Sequence, residues 1–227
     1  MVNLLKLGTI LPDHLKHLGS RWESLANEPE DRGAEYKRKM AESDDKMRRD
    51  QWGRNLDLSG LRIPADMREA VLAKKLRETP ALRVLREWYA QSRGEKPWLM
   101  VGGPCGIGKT VAAAWVIART QGVYLRAGQL KRLEWDKEEW GRAVSTPFLI
   151  IDDLGRERDK ERSAPVLLDL LDERPDKATY LPTNLDQGGF LDVYEDPRLH
   201  DRMAQLCMDV WIDGASLRRN PGLRVVK

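Results

Sequence analysis

The chain has 227 residues, of which 41% are hydrophobic and 33% are charged, with a formal net charge of +3. This composition excludes a wholly disordered chain, and so small a charge excess does not by itself indicate a nucleic-acid-binding protein. Cys105 and Cys207 form no CxxC pair, so neither a zinc ribbon nor a disulfide framework is predicted. No apolar run is as long as a membrane span and no secretory signal is recognisable, so we expect a cytoplasmic protein without membrane contact.

Residues 1–55 differ in composition from the rest of the chain. Both signs of charge are interspersed there and large apolar side chains are few, which favours a solvated helix over a packed core. We predict a charged, partly helical extension over 1–55, a candidate partner-binding segment, followed by a main domain over 56–227. His14 and His17 could share a helix face, but without a third ligand nearby a metal site is not favoured.

The main domain begins with two predicted helices and continues as alternating strands and helices. Pro64 opens the helical pattern PADMREAVLAKKLRE, and Pro80 starts a second one. Predicted strands then alternate with helices such as KTVAAAWVIART and SAPVLLDLLDER. The five predicted strands are WLMVGG, GVYLRA, FLII, ATYL and CMDVWI. Such alternation indicates an α/β fold with a five-stranded, mainly parallel sheet flanked by helices.

The segment GPCGIGKT matches the phosphate-binding pattern G-x-x-x-x-G-K-[ST] and lies between a predicted strand and a predicted helix. Its glycines allow backbone N–H groups to face a polyphosphate at a helix N-terminus. A lysine in this position reaches phosphate oxygens, and the threonine hydroxyl ligates Mg²⁺. The predicted nucleotide-binding residues are Gly103, Pro104, Cys105, Gly106, Ile107, Gly108, Lys109 and Thr110. A chance match and a reactive Cys105 are the less favoured interpretations.

Two further strands end in polar residues. FLIIDDLG places Asp152 and Asp153 after a buried strand, where Asp152 is predicted to hold Mg²⁺ and Asp153 to orient or activate a water. The alternative is a pair of aspartates that cap the next helix. YLPTN supplies Thr183 and Asn184 at another strand end, and Asn184 could hold the same water, or serve only as a turn or cap residue.

These motifs, together with the later stretch DPRLHDRM, resemble the AAA+ ATPases in order and spacing over roughly residues 60–220. The resemblance is to the DnaC/IstB-like group of helicase loaders and transposition helper ATPases, of which Asp-Asp-Leu-Gly is typical. It implies an ATPase in which 103–110 is Walker A, Asp152 and Asp153 are Walker B, and Asn184 is sensor 1. It further implies that Arg198 is the arginine finger. The resemblance also assigns Arg202 as a second contact or support, and Arg218 as sensor 2.

One departure from the pattern is Pro182, which lies beside sensor 1 although the strand should be central in the sheet. Because proline removes a donor from the ladder, we expect the strand to end just before it.

The segment GQLKRLEWDKEEWGRAVSTP lies where helicase loaders and initiators, by the same resemblance, contact single-stranded DNA. It combines cations with two aromatic residues, Trp135 and Trp140, as stacking on bases requires. The cations are Lys131, Arg132, Lys137 and Arg142. Interspersed acids favour the plainer alternative, a solvated face with core tryptophans. The tail SLRRNPGLRVVK is basic without an acid.

The resemblance therefore implies an ATP- and Mg²⁺-dependent replication factor that loads a replicative helicase on single-stranded DNA. By the resemblance, it forms homo-oligomers on ATP or DNA and hydrolyses ATP slowly at subunit interfaces. A transposition helper ATPase, with a transposase as partner, remains an open alternative. A small-molecule P-loop kinase would need an arginine-rich lid and an acceptor site. It is disfavoured, because the sequence instead has a sensor asparagine and late arginines in AAA+ order. Asp152, Asp153 and Asn184 argue against a nucleotide-gated adaptor with little turnover.

Overall fold

Five short strands pair side by side in one sheet, and each described pair of neighbours runs parallel. The computed structural model describes residues 31–91, 95–157, 159–214 and 216–217 of the chain. The strands are β1 Trp98–Gly102, β2 Val123–Arg126, β3 Phe148–Asp152, β4 Ala178–Pro182 and β5 Cys207–Trp211. Their order across the sheet is β2-β3-β4-β1-β5. The predicted α/β fold with a five-stranded parallel sheet is confirmed.

Nine α-helices occur in the described residues, and most of them cover the two faces of this sheet. The first four are α1 Asp31–Leu58, α2 Ala65–Leu72, α3 Pro80–Gln91 and α4 Lys109–Thr120. The next two, α5 Leu130–Leu133 and α6 Lys137–Ser145, lie between β2 and β3. The last three are α7 Lys160–Asp172, α8 Gln187–Val193 and α9 Pro197–Leu206. No helix in this part of the chain is long and apolar enough to span a membrane.

Two hydrophobic clusters sandwich the sheet, because successive residues of a strand point to opposite faces. One cluster joins alternate strand residues such as Met100 and Ile151 to α7, through Leu167 and Leu171. The other joins the remaining strand residues to α3 and α4. All five residues of β1, β3 and β4 are buried, as expected for central parallel strands covered on both sides.

Contacts divide the chain into a unit of Met1–Arg48 and a unit of Arg49–Lys227. In the second unit, the last turns of α1 are fixed to α4. The Arg119 guanidinium lies 4.1 Å from the ring centre of Trp52 and 4.4 Å from that of Trp115. Asn55 Nδ2 donates to the carbonyl of Ala118 at 2.7 Å, and Leu56 is buried. Residues 49–55, predicted as part of the extension, therefore pack in the second unit.

The strand before Asn184 is longer than predicted, because β4 includes Pro182. Backbone N–H groups of a parallel strand alternate between its two neighbours. Those of Thr179 and Thr183 donate to carbonyls on the β1 side, so the proline nitrogen faces β3. The β3–β4 ladder ends at Ile150 and Tyr180, and the missing donor therefore falls beyond it.

The structure also differs from the sequence prediction in two helices. Helix α2 ends at Leu72 instead of continuing towards residue 78, and Lys74 follows in a left-handed conformation with φ 58°. Helix α7 begins at Lys160, ahead of the predicted start, because Asp159 caps it by accepting from the Arg162 N–H. Pro165 lies inside this helix, in the first two turns.

A buried arginine joins α6 to β4. Arg174 is 0% exposed, and its Nη1 donates to the carbonyls of Ala143, Val144 and Thr146 at 2.7, 2.8 and 2.9 Å. Nη2 donates to the Ala178 carbonyl at 3.1 Å. Burial lowers the pKa of Arg174 to about 10, so the side chain stays charged at neutral pH. A full positive charge at the carbonyl end of a helix satisfies acceptors that would otherwise be buried without a donor.

Replacing Arg174 by methionine is therefore expected to lower the free energy of unfolding by about 2–4 kcal/mol, because several buried carbonyls lose their donor. Urea denaturation measures the change. Arg162→Met is the matched control, since that side chain is 81% exposed and its ion pair with Asp159 spans 3.7 Å. Equal stability of the two variants would contradict the account of Arg174.

Candidate functional site

The phosphate-loop pattern forms a tight turn between β1 and α4. Gly103, Gly106 and Gly108 have φ values of 146°, 95° and 96°, which L side chains rarely adopt. A Cβ on Gly108 would lie 2.2 Å from Thr79 Oγ1, so that position has no room for a side chain. Ile107 is 1% exposed and anchors the loop in the core, and the loop leads directly into the N-terminus of α4. This is the arrangement that presents backbone N–H groups to phosphate.

The ammonium group of Lys109 lies across this turn. Its Nζ donates to the carbonyls of Gly103 at 2.6 Å and Pro104 at 3.2 Å, and to Asn184 Oδ1 at 2.9 Å. The structure thus brings the predicted Walker A lysine and the predicted sensor 1 into direct contact. Exposed Cys105 lies beside them, with Sγ 3.8 Å from Asn184 Oδ1.

Asp152 ends β3 with its carboxylate held by two donors. Its Oδ2 accepts from the Tyr124 hydroxyl at 2.7 Å, and its Oδ1 accepts from the Asp153 N–H at 2.8 Å. The residue is 8% exposed, and burial raises its pKa, while the Tyr124 hydrogen bond and the charge of Lys109 oppose that rise. A cation bound at this carboxylate would favour its ionised form further.

Asp153 adopts a left-handed backbone conformation, with φ 61°, that is costly for a residue with a side chain. The turn leaves its carboxylate half exposed, 3.9 Å from Arg156 Nη1. Asp153 therefore does not cap α7, which is capped by Asp159. Of the two readings of this aspartate pair from sequence, the helix-cap alternative is wrong.

Thr183 fixes the position of Asn184. Its hydroxyl donates to the Leu154 carbonyl at 2.9 Å and accepts from the Leu185 N–H at 3.1 Å. Thr183 is 0% exposed, and an isolated parallel bridge joins it to Leu154. The end of β4 and the loop after Asp153 are thus held together, which keeps Asn184 beside the loop of Lys109.

These side chains line one cavity of about 560 Å³ at the carboxyl edge of the sheet. Ligands of open parallel sheets bind at this edge. Eight of the predicted site residues line it: Cys105, Gly106, Gly108, Lys109, Thr110, Asp152, Asp153 and Asn184.

The residues present fit a magnesium ion that is shared with a phosphate ligand. The Thr110 hydroxyl and the Asp152 carboxylate are hard oxygen donors that line the same cavity. In the described residues, no group of three or more His, Cys, Asp or Glu side chains could hold a metal. Mg²⁺ commonly uses only one or two protein oxygens and completes its shell with phosphate and water. The His14–His17 pair lies outside the described residues.

The two predicted arginines of α9 do not line this cavity. Arg198 is 74% exposed and contacts Asp196 Oδ2 through Nη2 at 2.8 Å, and this interaction lowers the pKa of Asp196. Arg202 Nε donates to Asp172 Oδ1 of α7 at 2.8 Å. Both arginines border a separate hollow of about 380 Å³. Arg218, the predicted sensor 2, lies outside the described residues.

Part of the cavity lining was not indicated by any sequence pattern. Leu61, Met67 and Leu76 form an apolar part of it, and Arg62 and Arg77 add cations. Their spacing indicated helices and a connector, and nothing in it pointed to a ligand. Tyr124 and Arg126 of β2 were missed as well. The pairing of Arg126 with Asp152 across β2 and β3 becomes visible only once the strand order is known.

The candidate DNA segment is only partly as predicted. Trp135 is 82% exposed beside a cavity of about 1050 Å³, which Lys131, Arg132 and Lys137 also line. Trp140 lines the same cavity, but it is partly buried, packs against the core and donates through Nε1 to Glu173 Oε1 at 3.2 Å. The alternative of core tryptophans is therefore wrong for Trp135 and holds only in part for Trp140.

Arg142 does not join the other cations of that segment. Its Nη2 donates to the Leu58 carbonyl at the end of α1, and the residue lines a different hollow. Its grouping with the other cations as a DNA-binding set is not supported by this position.

Comparison with known proteins identifies the fold. No family model matches the sequence, and no curated protein is significantly similar to it. A crystal structure of the DnaC helicase loader matches with a TM-score of 0.50 and 19% identity, over 66% of this chain and 100% of that chain. A putative primosome component from Streptococcus pyogenes serotype M3 matches with a TM-score of 0.49 and 18% identity, over 70% and 93%. AMPPCP-bound DnaA from Aquifex aeolicus matches with a TM-score of 0.48 and 14% identity, over 62% and 49%. The chain has the fold of the DnaC helicase loader, as its resemblance to the AAA+ ATPases predicted.

Proposed function

We propose that this protein is a DnaC-like replication factor that binds ATP with Mg²⁺ and assembles with a replicative helicase on single-stranded DNA. One observation carries the proposal. Lys109, Asp152 and Asn184 come from three different strand ends and meet in one cavity at a phosphate-loop turn, on a helicase-loader fold. This constellation suits binding and hydrolysis of a nucleoside triphosphate.

The roles of the residues follow from their positions. The N–H groups of the loop and the Lys109 ammonium would bind the phosphates, while Thr110 and Asp152 would hold Mg²⁺. The metal would neutralise charge between the phosphates. Asp153, half exposed at the cavity, would orient or activate the attacking water, and Asn184 would hold it from the other side. Leu61 and Met67 offer an apolar wall for the base.

Arg198 is proposed to act on the cavity of a neighbouring subunit. It lies outside its own cavity and is largely exposed, so it can reach a second molecule without rearrangement of the core. Its exposed pair with Asp196 is of the kind that stabilises little, so exchanging it for a phosphate costs little. Arg202 would support it, since its Asp172 contact ties α9 to α7. A cation supplied in trans accelerates phosphoryl transfer in other P-loop enzymes by about 10³–10⁵.

Single-stranded DNA is proposed to bind along the cavity beside Trp135. The exposed indole offers a stacking face, and Lys131, Arg132 and Lys137 offer charge for the backbone. Acids in the same cavity, among them Glu134, limit the affinity and do not remove the stacking face.

A partner protein is proposed to bind the first part of α1. Tyr36, Met40 and Met47 are 66%, 47% and 60% exposed, and their spacing places them on one face of an otherwise charged helix. An apolar stripe of this kind suits docking against a partner. Co-purification with a replicative helicase supports the loader function, and capture of a transposase instead would overturn it in favour of a transposition helper.

Mixing two inactive variants tests whether hydrolysis occurs between subunits. Asp153→Asn and Arg198→Ala should each bind ATP and each lose hydrolysis in the presence of helicase and single-stranded DNA. A mixed assembly contains interfaces in which an intact Asp153 meets an intact Arg198. An equimolar mixture should therefore recover roughly a quarter of the wild-type turnover, as measured by phosphate release.

Lack of recovery in the mixture would contradict the proposal that Arg198 acts in trans, because each site would then need both residues from one chain. Energy transfer between the two variants, each labelled with a different dye, is the control for subunit exchange. If wild-type protein hydrolyses no ATP with helicase and DNA, the proposed function itself is wrong.

Trp135→Ala is expected to weaken binding of an oligothymidine by about tenfold, because base stacking on an aromatic ring contributes about 1–3 kcal/mol. Fluorescence anisotropy of a labelled oligonucleotide measures the affinity. Tyr36→Ala removes another exposed aromatic ring and should leave the affinity unchanged. The proposed DNA surface is wrong if both variants bind like the wild type.

A further inference from the structure

A tyrosine of the neighbouring strand holds the predicted magnesium ligand. Tyr124 lies on β2 and is 9% exposed, and its hydroxyl donates to Asp152 Oδ2 at 2.7 Å. The other carboxylate oxygen accepts from the Asp153 N–H at 2.8 Å. Both oxygens of Asp152 are therefore held by donors of this chain, and the orientation of the carboxylate is fixed from two sides.

The backbone fixes Tyr124 in turn. Tyr124 is paired with Ile150 in the β2–β3 register, two residues before Asp152, so both side chains lie on the same face of the sheet. Its N–H donates to the Ser59 carbonyl at 2.9 Å, just after the end of α1. The hydroxyl therefore reaches Asp152 from a rigid position, and its direction is set by the sheet.

We propose that Tyr124 is a positioning residue that sets the affinity of the site for Mg²⁺, by holding the Asp152 carboxylate in its ligating orientation. The inference rests on the proposed function and deepens it. A metal-ligating carboxylate is commonly held by such an outer hydrogen bond, and loss of one typically lowers metal affinity by about 10–100-fold.

Tyr180 provides an internal comparison for Tyr124. It lies on β4 in the same row, paired with Ile150 from the other side, and it is 0% exposed. Its hydroxyl is among the buried polar atoms without a hydrogen-bond partner in the described residues. Both tyrosines are buried beside Ile150 on the same face of the sheet, although β2 is an edge strand and β4 is central. They differ in whether the hydroxyl donates to Asp152. Removing the hydroxyl from each separates positioning from general packing.

The test measures binding of a fluorescent, non-hydrolysable ATP analogue at increasing Mg²⁺ concentration. Tyr124→Phe should raise the Mg²⁺ concentration at half-maximal binding by about 10–100-fold. The affinity at saturating Mg²⁺ should stay close to that of the wild type, because the ring is kept. The thermal unfolding midpoint should fall modestly, because a buried carboxylate oxygen loses its donor. Tyr180→Phe should leave the Mg²⁺ midpoint unchanged.

A double-mutant cycle with Asp152→Asn keeps the inference falsifiable if Tyr124→Phe has a further effect on folding. Since Tyr124 is proposed to act only through the carboxylate, its substitution should not change the Mg²⁺ midpoint further in the Asp152→Asn background. An equal shift in both backgrounds overturns the inference.

Two other outcomes have distinct meanings. If wild type and Tyr124→Phe have the same Mg²⁺ midpoint, or Tyr124→Phe and Tyr180→Phe shift it equally, Tyr124 does not position Asp152 for the metal. If the wild type binds the analogue without any dependence on Mg²⁺, or does not bind it, the proposed function fails instead.

Discussion

The parallel pairing of β1, β3 and β4 is the constraint on which the candidate site depends. Parallel strands place their carboxyl ends at one edge, so residues far apart in sequence arrive together. Lys109 follows β1, Asp152 ends β3 and Asn184 follows β4. The hydrogen bond from Lys109 to Asn184 shows that the segments after β1 and β4 are in direct contact. Because these strands are buried on both faces, their ends cannot shift without disturbing two hydrophobic clusters. The core thus supplies the rigidity that a phosphate site requires.

Buried hydrogen bonds then fix the positions of the segments and side chains that the strands bring together. Thr183 joins the end of β4 to Leu154, Tyr124 holds Asp152, and Arg174 binds the carbonyl end of α6 next to the start of β4. Each contact satisfies groups that would be costly to bury alone. The groups inside the cavity suit binding of a nucleotide. Arg198 and Trp135 lie outside the cavity, on exposed surfaces. Assembly with other molecules would therefore act at positions separate from the rigid centre.

The local motifs were predictable because they depend on short-range chemistry. The phosphate loop and the aspartates after a buried strand were visible in the sequence, and the alternation of elements indicated the sheet. The predictions that were wrong, and the contacts that the sequence did not indicate, depend on how distant segments pack together. The extension of β4 to Pro182 depends on where the β3 ladder ends, and the contact of Tyr124 with Asp152 depends on β2 lying beside β3. The different environments of Trp135 and Trp140 likewise depend on how α6 packs, which spacing alone does not reveal.

The central claim is that an ATP–Mg²⁺ site is built from the ends of β1, β3 and β4. Hydrogen–deuterium exchange with and without a non-hydrolysable ATP analogue and Mg²⁺ tests it most directly. Binding should slow exchange over residues 103–110, over residues 153–155 and around Asn184, with little change over residues 34–48 of α1. Slower exchange confined to other segments, or no change at saturating analogue, would contradict it.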